Sequence, residues 1–218
     1  MGAFASAAID KSALHGFYKG IKQEEVVFAV NCGSEEPVTD MDGITYEADK
    51  DHEGGISSGE GKSHRWIVPN SDVYQTERWG KGPKFTYKIP APEIGTYALL
   101  LKFSEVYFER PDEKVFDVYI GNTAIINDLD ILLRAGARFL PHDEFIDLEI
   151  RENGDKKEVY YNGYLVKGGV DRDNKINLEF RRGSSDNPKV NAIVLVRGGR
   201  DNTHYENWLA YKRTLYEI

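Results

Sequence analysis

The chain has 218 residues, of which 40% are hydrophobic and 29% charged, and its formal net charge is −8. Apolar and aromatic residues are plentiful enough to build a core, which excludes a disordered chain. The single cysteine, Cys32, excludes an intramolecular disulfide scaffold, and the acidic balance argues against nucleic acid as the main partner.

The first segment, residues 1–24, is weakly patterned and is predicted to be an N-terminal tail with a short helix near residues 12–22. From Val26 onward, short runs rich in Val, Ile, Phe and Tyr are separated by Gly, Asn, Asp and Pro, which is typical of strands and turns. About ten strands are predicted in this part of the chain. They include residues 26–30, 84–89, 99–103, 116–120, 123–126, 146–150, 159–166, 176–180 and 190–196.

Several of these runs alternate between apolar and polar residues, which predicts strands with one buried face. The runs near residues 99–103 and 190–196 are apolar on both sides and are predicted to lie centrally in a sheet. No long helical pattern lies between the runs. We therefore expect an all-β fold, an antiparallel β-sandwich with jelly-roll topology, over residues 25–200.

Two further segments stand apart from this pattern. The connection over residues 47–71 is long, polar and rich in glycine, and such loops are usually functional or disordered. The tail, residues 201–218, places four large side chains on one helical stripe, which indicates a C-terminal helix. They are Trp208, Tyr211, Leu215 and Tyr216.

Enzyme signatures are absent from the sequence, which has neither a nucleophile elbow nor a phosphate-binding loop nor paired-cysteine metal ligands. The compact cluster His142-Asp143-Glu144 precedes a predicted strand and is interpreted as a loop or turn. Cys32 is interpreted as a small packed residue. We expect no catalytic residue, cofactor or metal. A glycoside hydrolase stays an alternative, because any of the 36 acidic residues could supply its two carboxylates.

Aromatic residues outside the strands suggest a different kind of site. Tyr74 lies in a polar, turn-flanked segment, and Tyr107 and Phe108 lie where an apolar strand gives way to charged residues and proline. A sugar ring packs its C–H groups on an aromatic face, while its hydroxyl groups need carboxylate and amide partners. Asp186 and Asn187, in a turn before a buried strand, are candidates for those partners, although an Asx-turn that only starts the strand is the simpler interpretation of them alone.

Six stretches at and around these segments, across roughly residues 25–198, carry a resemblance to a known family. They are Phe28-Ala29-Val30-Asn31-Cys32-Gly33, Val73-Tyr74-Gln75-Thr76-Glu77-Arg78, Leu101-Lys102-Phe103-Ser104-Glu105-Val106-Tyr107-Phe108, Lys114-Val115-Phe116-Asp117-Val118, Asn127-Asp128-Leu129-Asp130-Ile131 and Asp186-Asn187-Pro188-Lys189-Val190. In these stretches, which occur in the family's order, the sequence resembles the malectin family of carbohydrate-binding domains.

The resemblance implies a jelly-roll sandwich without catalytic activity. It implies binding of diglucosylated high-mannose N-glycans, or of short α-glucose sugars such as maltose and nigerose, in glycoprotein quality control in the endoplasmic reticulum lumen. Glycoproteins and the oligosaccharide-transfer machinery are the further partners it suggests. The family's sugar-contacting residues fall on Tyr74, Tyr107, Phe108 and Asp186, and we expect Glu77, Arg78, Glu105 and Asn187 to support them.

The sequence also departs from the family. A further sugar-stacking tyrosine of the family lies in the long loop, where this chain has Ser57-Ser58-Gly59-Glu60-Gly61. Tyr46, which is interpreted as a strand residue, His64 and Trp66 are the candidates to replace it. The sequence given shows neither a convincing signal peptide nor a membrane span. These departures favour, as the alternative, a protein-interaction module that has lost sugar binding.

Overall fold

The computed structural model describes residues 21–40, 43–64, 66 and 72–198. The C-terminal helix predicted for residues 201–218 lies outside these ranges, and so does nearly all of the helix predicted near residues 12–22. Within the described residues, strands dominate and one short α-helix, α1 (Ile131–Ala135), is present. The chain therefore has the all-β class that its strand and turn pattern predicts.

The described part of the chain contains sixteen strands and three 3-10 turns, at Gln23–Glu25, Glu60–Ser63 and Asp72–Tyr74. The strands are β1 (Val26–Asn31), β2 (Val38–Thr39), β3 (Thr45–Tyr46), β4 (His52–Glu53), β5 (Ile56–Ser58), β6 (Glu77–Trp79), β7 (Lys84–Pro90), β8 (Gly95–Phe103), β9 (Val115–Ile120), β10 (Thr123–Leu129), β11 (His142–Asn153), β12 (Lys156–Tyr161), β13 (Tyr164–Leu165), β14 (Lys175–Ser185), β15 (Lys189–Val190) and β16 (Ala192–Arg197).

Two large antiparallel sheets form the sandwich. One has six strands in the order β1-β16-β8-β11-β12-β13, and the other has five in the order β10-β9-β14-β7-β4. A three-stranded sheet, β15-β6-β5, and the pair β2-β3 complete the pairing. From β7 onward the chain passes repeatedly from one large sheet to the other, which is the jelly-roll arrangement.

The main core lies between the two large sheets. Leu99 and Leu148 from the six-stranded sheet belong to the same buried cluster as Phe116, Leu178 and Phe180 from the five-stranded sheet. The period-two alternation predicted for β7, β11 and β14 is confirmed, because the apolar residue at every second position is buried. The hydrophobic faces of the two sheets thus account for most of the apolar burial.

The six-stranded sheet is also covered on its outer face. Ala98 and Leu100 of β8 pack there with Val194 of β16, under a second cluster that includes Tyr46 and Tyr74. Both faces of β8 and β16 are therefore buried, and the two strands lie side by side inside the sheet. The prediction of two central strands is confirmed for residues 99–103 and 192–196, whereas Val190, at the start of the second run, belongs to β15 in the three-stranded sheet.

Three further local predictions differ from the structure. The run 159–166 is two strands, β12 and β13, because Asn162 and Gly163 turn the chain in left-handed conformations with φ of 51° and 81°. The long connection over residues 47–71 contains β4, β5 and a 3-10 turn. His142 does not precede a strand but begins β11, since it pairs with Phe103 of β8.

A buried ion pair joins β8 to β11 on the outer face of the six-stranded sheet. Lys102 Nζ donates to Asp143 Oδ2 at 3.0 Å, and both side chains are almost completely buried. The Tyr74 hydroxyl accepts a hydrogen bond from Lys102 Nζ at 2.9 Å and donates one to Asp143 Oδ1 at 2.8 Å. Lys102, Asp143 and Tyr74 thus form a triangle of hydrogen bonds in which both charged groups have partners. Because the Tyr74 hydroxyl contributes two of the three bonds, the triangle holds Tyr74 against the sheet.

A second polar network surrounds Asp49, which follows the first strands. Asp49 Oδ1 accepts from the Tyr87 hydroxyl at 2.7 Å, and Oδ2 accepts from Arg78 Nε at 2.8 Å and from the Gly33 N–H at 2.6 Å. The Cys32 thiol is fully buried beside this network. Burial, assisted by the negative charge of Asp49, raises the pKa of the Cys32 thiol well above its ordinary value.

The Lys102–Asp143 pair makes a test of stability. We expect Lys102→Met to lower the free energy of unfolding by about 3–5 kcal/mol, because the variant removes one partner of a buried, hydrogen-bonded ion pair. Adding Asp143→Leu should recover part of that loss. Urea unfolding measures both values. Lys84→Met is the matched control, because Lys84 pairs with Glu179 on the surface and should cost no more than about 1 kcal/mol. Equal losses for the two lysines would contradict this.

The thiol gives a test of pH dependence. An unfolded thiol ionises near pH ~8.5, whereas the folded thiol stays protonated to higher pH. The contribution of the buried, protonated Cys32 thiol to stability is therefore complete below pH ~8.5. It is lost as the pH rises toward the pKa of the thiol in the folded protein. We expect the melting temperature to fall above pH ~8.5, and to fall less steeply in Cys32→Ala. Parallel slopes in the two proteins would count against a raised thiol pKa.

Candidate functional site

The segment between β8 and β9 carries the predicted aromatic pair. The rings of Tyr107 and Phe108 meet edge to face, with centroids 5.0 Å apart and planes at 82°. Tyr107 is 71% exposed, which is unusual for so large an apolar surface in a structured segment. The pair lies outside the sheets, so neither ring is needed to fill the core.

Glu105 fixes the backbone beneath these rings. One oxygen of its carboxylate, Oε1, accepts the N–H of Tyr107 at 2.7 Å and the N–H of Phe108 at 3.1 Å. Glu105 itself is 1% exposed, and its carbonyl accepts the N–H of Phe139 at 2.9 Å. A buried carboxylate with two backbone donors holds the segment rigidly, so the rings are oriented in advance of any contact.

The turn after β14 brings Asp186 to the same place. Asp186 Oδ2 accepts from Lys114 Nζ, and Oδ1 accepts from Asn187 Nδ2 at 3.2 Å. Lys114 Nζ also donates to the Asn187 carbonyl at 3.0 Å and lies 5.2 Å from the centre of the Phe108 ring. Lys114 thus links the acidic turn to the aromatic pair.

Lys114 is a site residue that the sequence did not reveal. It precedes β9 as a single lysine among charged neighbours, and no spacing distinguishes it from the other lysines of the chain. Only the folded structure places its ammonium group between Asp186 and the Phe108 ring. A cation held in this way can stabilise an aromatic face and a carboxylate at the same time.

Tyr74 is buried, unlike the exposed Tyr107. It is 4% exposed, and its ring lies 5.0 Å from Lys102 Nζ and 6.4 Å from the Trp66 ring centroid. Its hydroxyl belongs to the Lys102–Asp143 triangle described above. The structure therefore brings Tyr107, Phe108 and Asp186 together and leaves Tyr74 beneath the surface, and a sugar-binding role for Tyr74 stays a prediction.

The supporting residues contact the segments that surround the site. Glu77 accepts from Lys189, whose ammonium group also donates to the Ser104 carbonyl at 2.5 Å. Arg78 donates to Asp49 and, at 3.2 Å, to the Gly54 carbonyl in the long connection. Both residues therefore brace loops, while the roles predicted for them in binding stay predictions.

The long connection reaches the site through a cluster of rings that the sequence did not predict. The His64 ring lies 4.5 Å from that of Phe139, and Trp66 meets Phe139 edge-on at 5.7 Å between centroids. Tyr46, by contrast, is fully buried, and its hydroxyl donates to Asp40 Oδ2 at 3.1 Å. Of the three candidates to replace the missing loop tyrosine, His64 and Trp66 lie near the aromatic segment through Phe139.

The cluster His142-Asp143-Glu144 is divided between the two faces of β11. His142 Nε2 lies 2.7 Å from Glu144 Oε1, which also accepts from Arg134 of α1. Asp143 points to the opposite face of β11, where it binds Lys102. No group of three or more His, Cys, Asp or Glu residues that could hold a metal occurs among the described residues.

Comparisons with known proteins identify the family. The malectin domain family matches residues 26–193. Malectin-A from Xenopus laevis is 37% identical over 185 residues, and human malectin is also 37% identical over 185 residues. These alignments cover 82% of this chain, but only 62% and 59% of the two relatives, so the chain spans about three fifths of their length.

The fold recurs in solved structures. The extracellular domain of ANXUR1 from Arabidopsis thaliana superposes with a TM-score of 0.60 at 18% identity, over 79% of this chain and 48% of that one. In the part of the chain that the structure describes, no helix is long and apolar enough to cross a membrane. The match to the domain and the identity to its relatives, on the sandwich described above, show that the chain belongs to the malectin family.

Proposed function

We propose that this chain is a non-enzymatic lectin. Its ligand is a short α-glucose oligosaccharide, such as maltose, nigerose or the glucosylated arm of a high-mannose N-glycan. The proposal is supported by the malectin family match and by the sequence resemblance. The observation that carries it is the rigid, exposed Tyr107–Phe108 pair beside Asp186.

The aromatic pair provides the apolar half of the site. The carboxylate of Glu105 holds both backbone N–H groups, so Tyr107 presents its ring without a large loss of conformational entropy on binding. The C–H face of a sugar ring can cover part of the 71% of Tyr107 that is open to water. Removing that apolar surface from water favours binding.

Asp186 and Asn187 provide the polar half. Asp186 keeps a carboxylate that is 29% exposed, and Lys114 offsets its charge from below. A carboxylate accepts hydrogen bonds from sugar hydroxyls more strongly than a neutral group does. Because Lys114 also lies against the Phe108 ring, the polar and apolar halves have a fixed spacing.

The same geometry supports binding without catalysis. A glycosidase needs two carboxyl groups that flank the bond to be cleaved. Near the aromatic pair, Glu105 is buried and holds two backbone N–H groups, Asp186 is paired with Lys114, and the exposed Glu109 is paired with Arg138. Each of these carboxyl groups is engaged with a cation or with backbone N–H groups, an arrangement that does not favour a proton donor to a leaving group.

The cellular setting follows from the relatives and is part of the proposal. The relatives named malectin favour the endoplasmic reticulum lumen, a role in glycoprotein quality control, and glycoproteins or the oligosaccharide-transfer machinery as partners. The absence of the family's loop tyrosine from Ser57–Gly61 favours the second candidate, a protein-interaction module. Binding of sugar decides between the two.

Calorimetric titration with maltose and nigerose tests the proposal. We expect Tyr107→Ala to weaken binding at least about tenfold, because the stacking surface is lost. Tyr164→Ala is the matched control, since Tyr164 is 79% exposed but lies on β13, at the edge of the six-stranded sheet. No heat with wild-type protein, or the same affinity in both variants, would overturn the proposal.

The acidic half of the site has its own test. Asp186 has a left-handed backbone with φ of 50°, which asparagine also tolerates, so Asp186→Asn should preserve the turn. We expect about a 10- to 100-fold loss of maltose affinity, because a charged acceptor is removed. Asp128→Asn, at an exposed aspartate with φ of 49°, is the control. Unchanged affinity in Asp186→Asn would remove Asp186 from the site.

A further inference from the structure

A groove lies beside the aromatic pair, between the segment that carries it and the connection from β10 to β11. Its volume is about 480 Å³, which is within the range of small-molecule sites. Its walls come from these two segments alone. The lining residues include Glu109, Pro111, Leu132, Leu133, Ala137 and Arg138.

The walls of the groove are fixed by one buried carboxylate. Asp130 Oδ1 accepts the N–H of Leu133 at 2.9 Å and thereby caps α1. Its other oxygen, Oδ2, accepts the N–H of Asp112 at 2.6 Å, in the aromatic segment. Asp130 therefore ties the two walls together, and the groove is preformed.

Arg138 joins the groove to the aromatic pair. Its Nη1 donates to the carbonyl of Tyr107 at 3.2 Å, and its Nη2 lies 3.4 Å from Glu109 Oε1. The same side chain thus contacts the residue that carries the exposed ring and forms the charged rim of the groove. A ligand that extends from Tyr107 past Arg138 enters this groove.

The lining combines aliphatic and charged groups in the way that a sugar chain requires. Leu133, which is 62% exposed, and Pro111 offer apolar surface to the C–H faces of sugar rings. Glu109 accepts and Arg138 donates hydrogen bonds, so hydroxyl groups find both kinds of partner on the rim. The ion pair is exposed to solvent and can be rearranged at little cost.

We propose that this groove is an extended subsite that binds the sugar units following the one held at Tyr107 and Phe108. The ligand of the whole site is then an oligosaccharide longer than a disaccharide. This inference rests on the proposed lectin function. It adds that Leu133 and Glu109 determine the preference for chain length, whereas Tyr107 and Asp186 determine binding of the first unit.

A series of α-1,4-linked glucose oligomers, from maltose to maltohexaose, tests the subsite by calorimetry on the full chain. We expect the affinity of the wild-type protein to rise at least about tenfold along the series. The variant Leu133→Ser/Glu109→Ala should bind maltose like the wild type but lose the increase with length. Both side chains are largely exposed, so the fold should tolerate the changes. Leu165→Ser/Glu93→Ala is the control, at exposed residues outside the groove, and should keep the increase.

Each outcome decides the matter. Suppose that the wild-type protein binds maltose as tightly as every longer oligomer of the series, or that the groove variant keeps the increase of affinity with length. In either case the subsite is overturned and the lectin function stands. If no sugar of the series binds but nigerose does, the subsite is overturned and the lectin function stands. If neither the series nor nigerose binds, both are overturned. If an apolar hexapeptide binds the wild type, fails to bind the groove variant, and sugar length has no effect, the groove takes polypeptide and the subsite is overturned.

Discussion

The amide of Asn191 holds the loops of the site to the sandwich. It is fully buried, and its Oδ1 accepts the N–H of Ser104 at 2.9 Å. Its Nδ2 donates to the carbonyls of Tyr74 and Thr76, at 3.0 and 2.8 Å. One side chain therefore sets the position of the segment that carries Tyr74 against the one that carries the aromatic pair. An apolar residue there would leave three backbone groups without these partners, which is costly in a buried place.

Two buried lysines extend this polar layer on either side of Asn191. Lys189 binds Glu77 and the Ser104 carbonyl, and Lys102 binds Asp143 and Tyr74. Such pairs add little net stability compared with apolar packing, since removing charges from water is costly. They do favour particular contacts between loops and strands, because a buried ammonium group away from its partners would be costly. The buried side chains of Asn191, Lys189 and Lys102 thereby hold the loops that surround the candidate site against the apolar sandwich.

Rigid support explains how a small site could select a ligand. Glu105 holds the aromatic segment, Asp130 holds the groove, and Lys114 holds the turn with Asp186. Each of these side chains is buried or nearly so, whereas the surfaces they support are exposed. This division lets the loops present Tyr107 and Leu133 to water without losing their conformation, and that reduces the entropy lost on binding.

The sequence by itself determined the fold class, because alternation with period two is a local property of β7, β11 and β14. It also determined that β8 and β16 are central, since both are apolar on successive residues. The aromatic pair and Asp186 were found because strand patterns end abruptly beside them. Only the tertiary structure placed Lys114, Phe139 and Asn191, which come from distant parts of the chain and follow no motif spacing. The burial of Tyr74 was likewise decided in three dimensions. Its segment is polar and flanked by turns, but the ring packs in the outer hydrophobic cluster with Leu100 and Trp66, and Lys102 and Asp143 bind its hydroxyl.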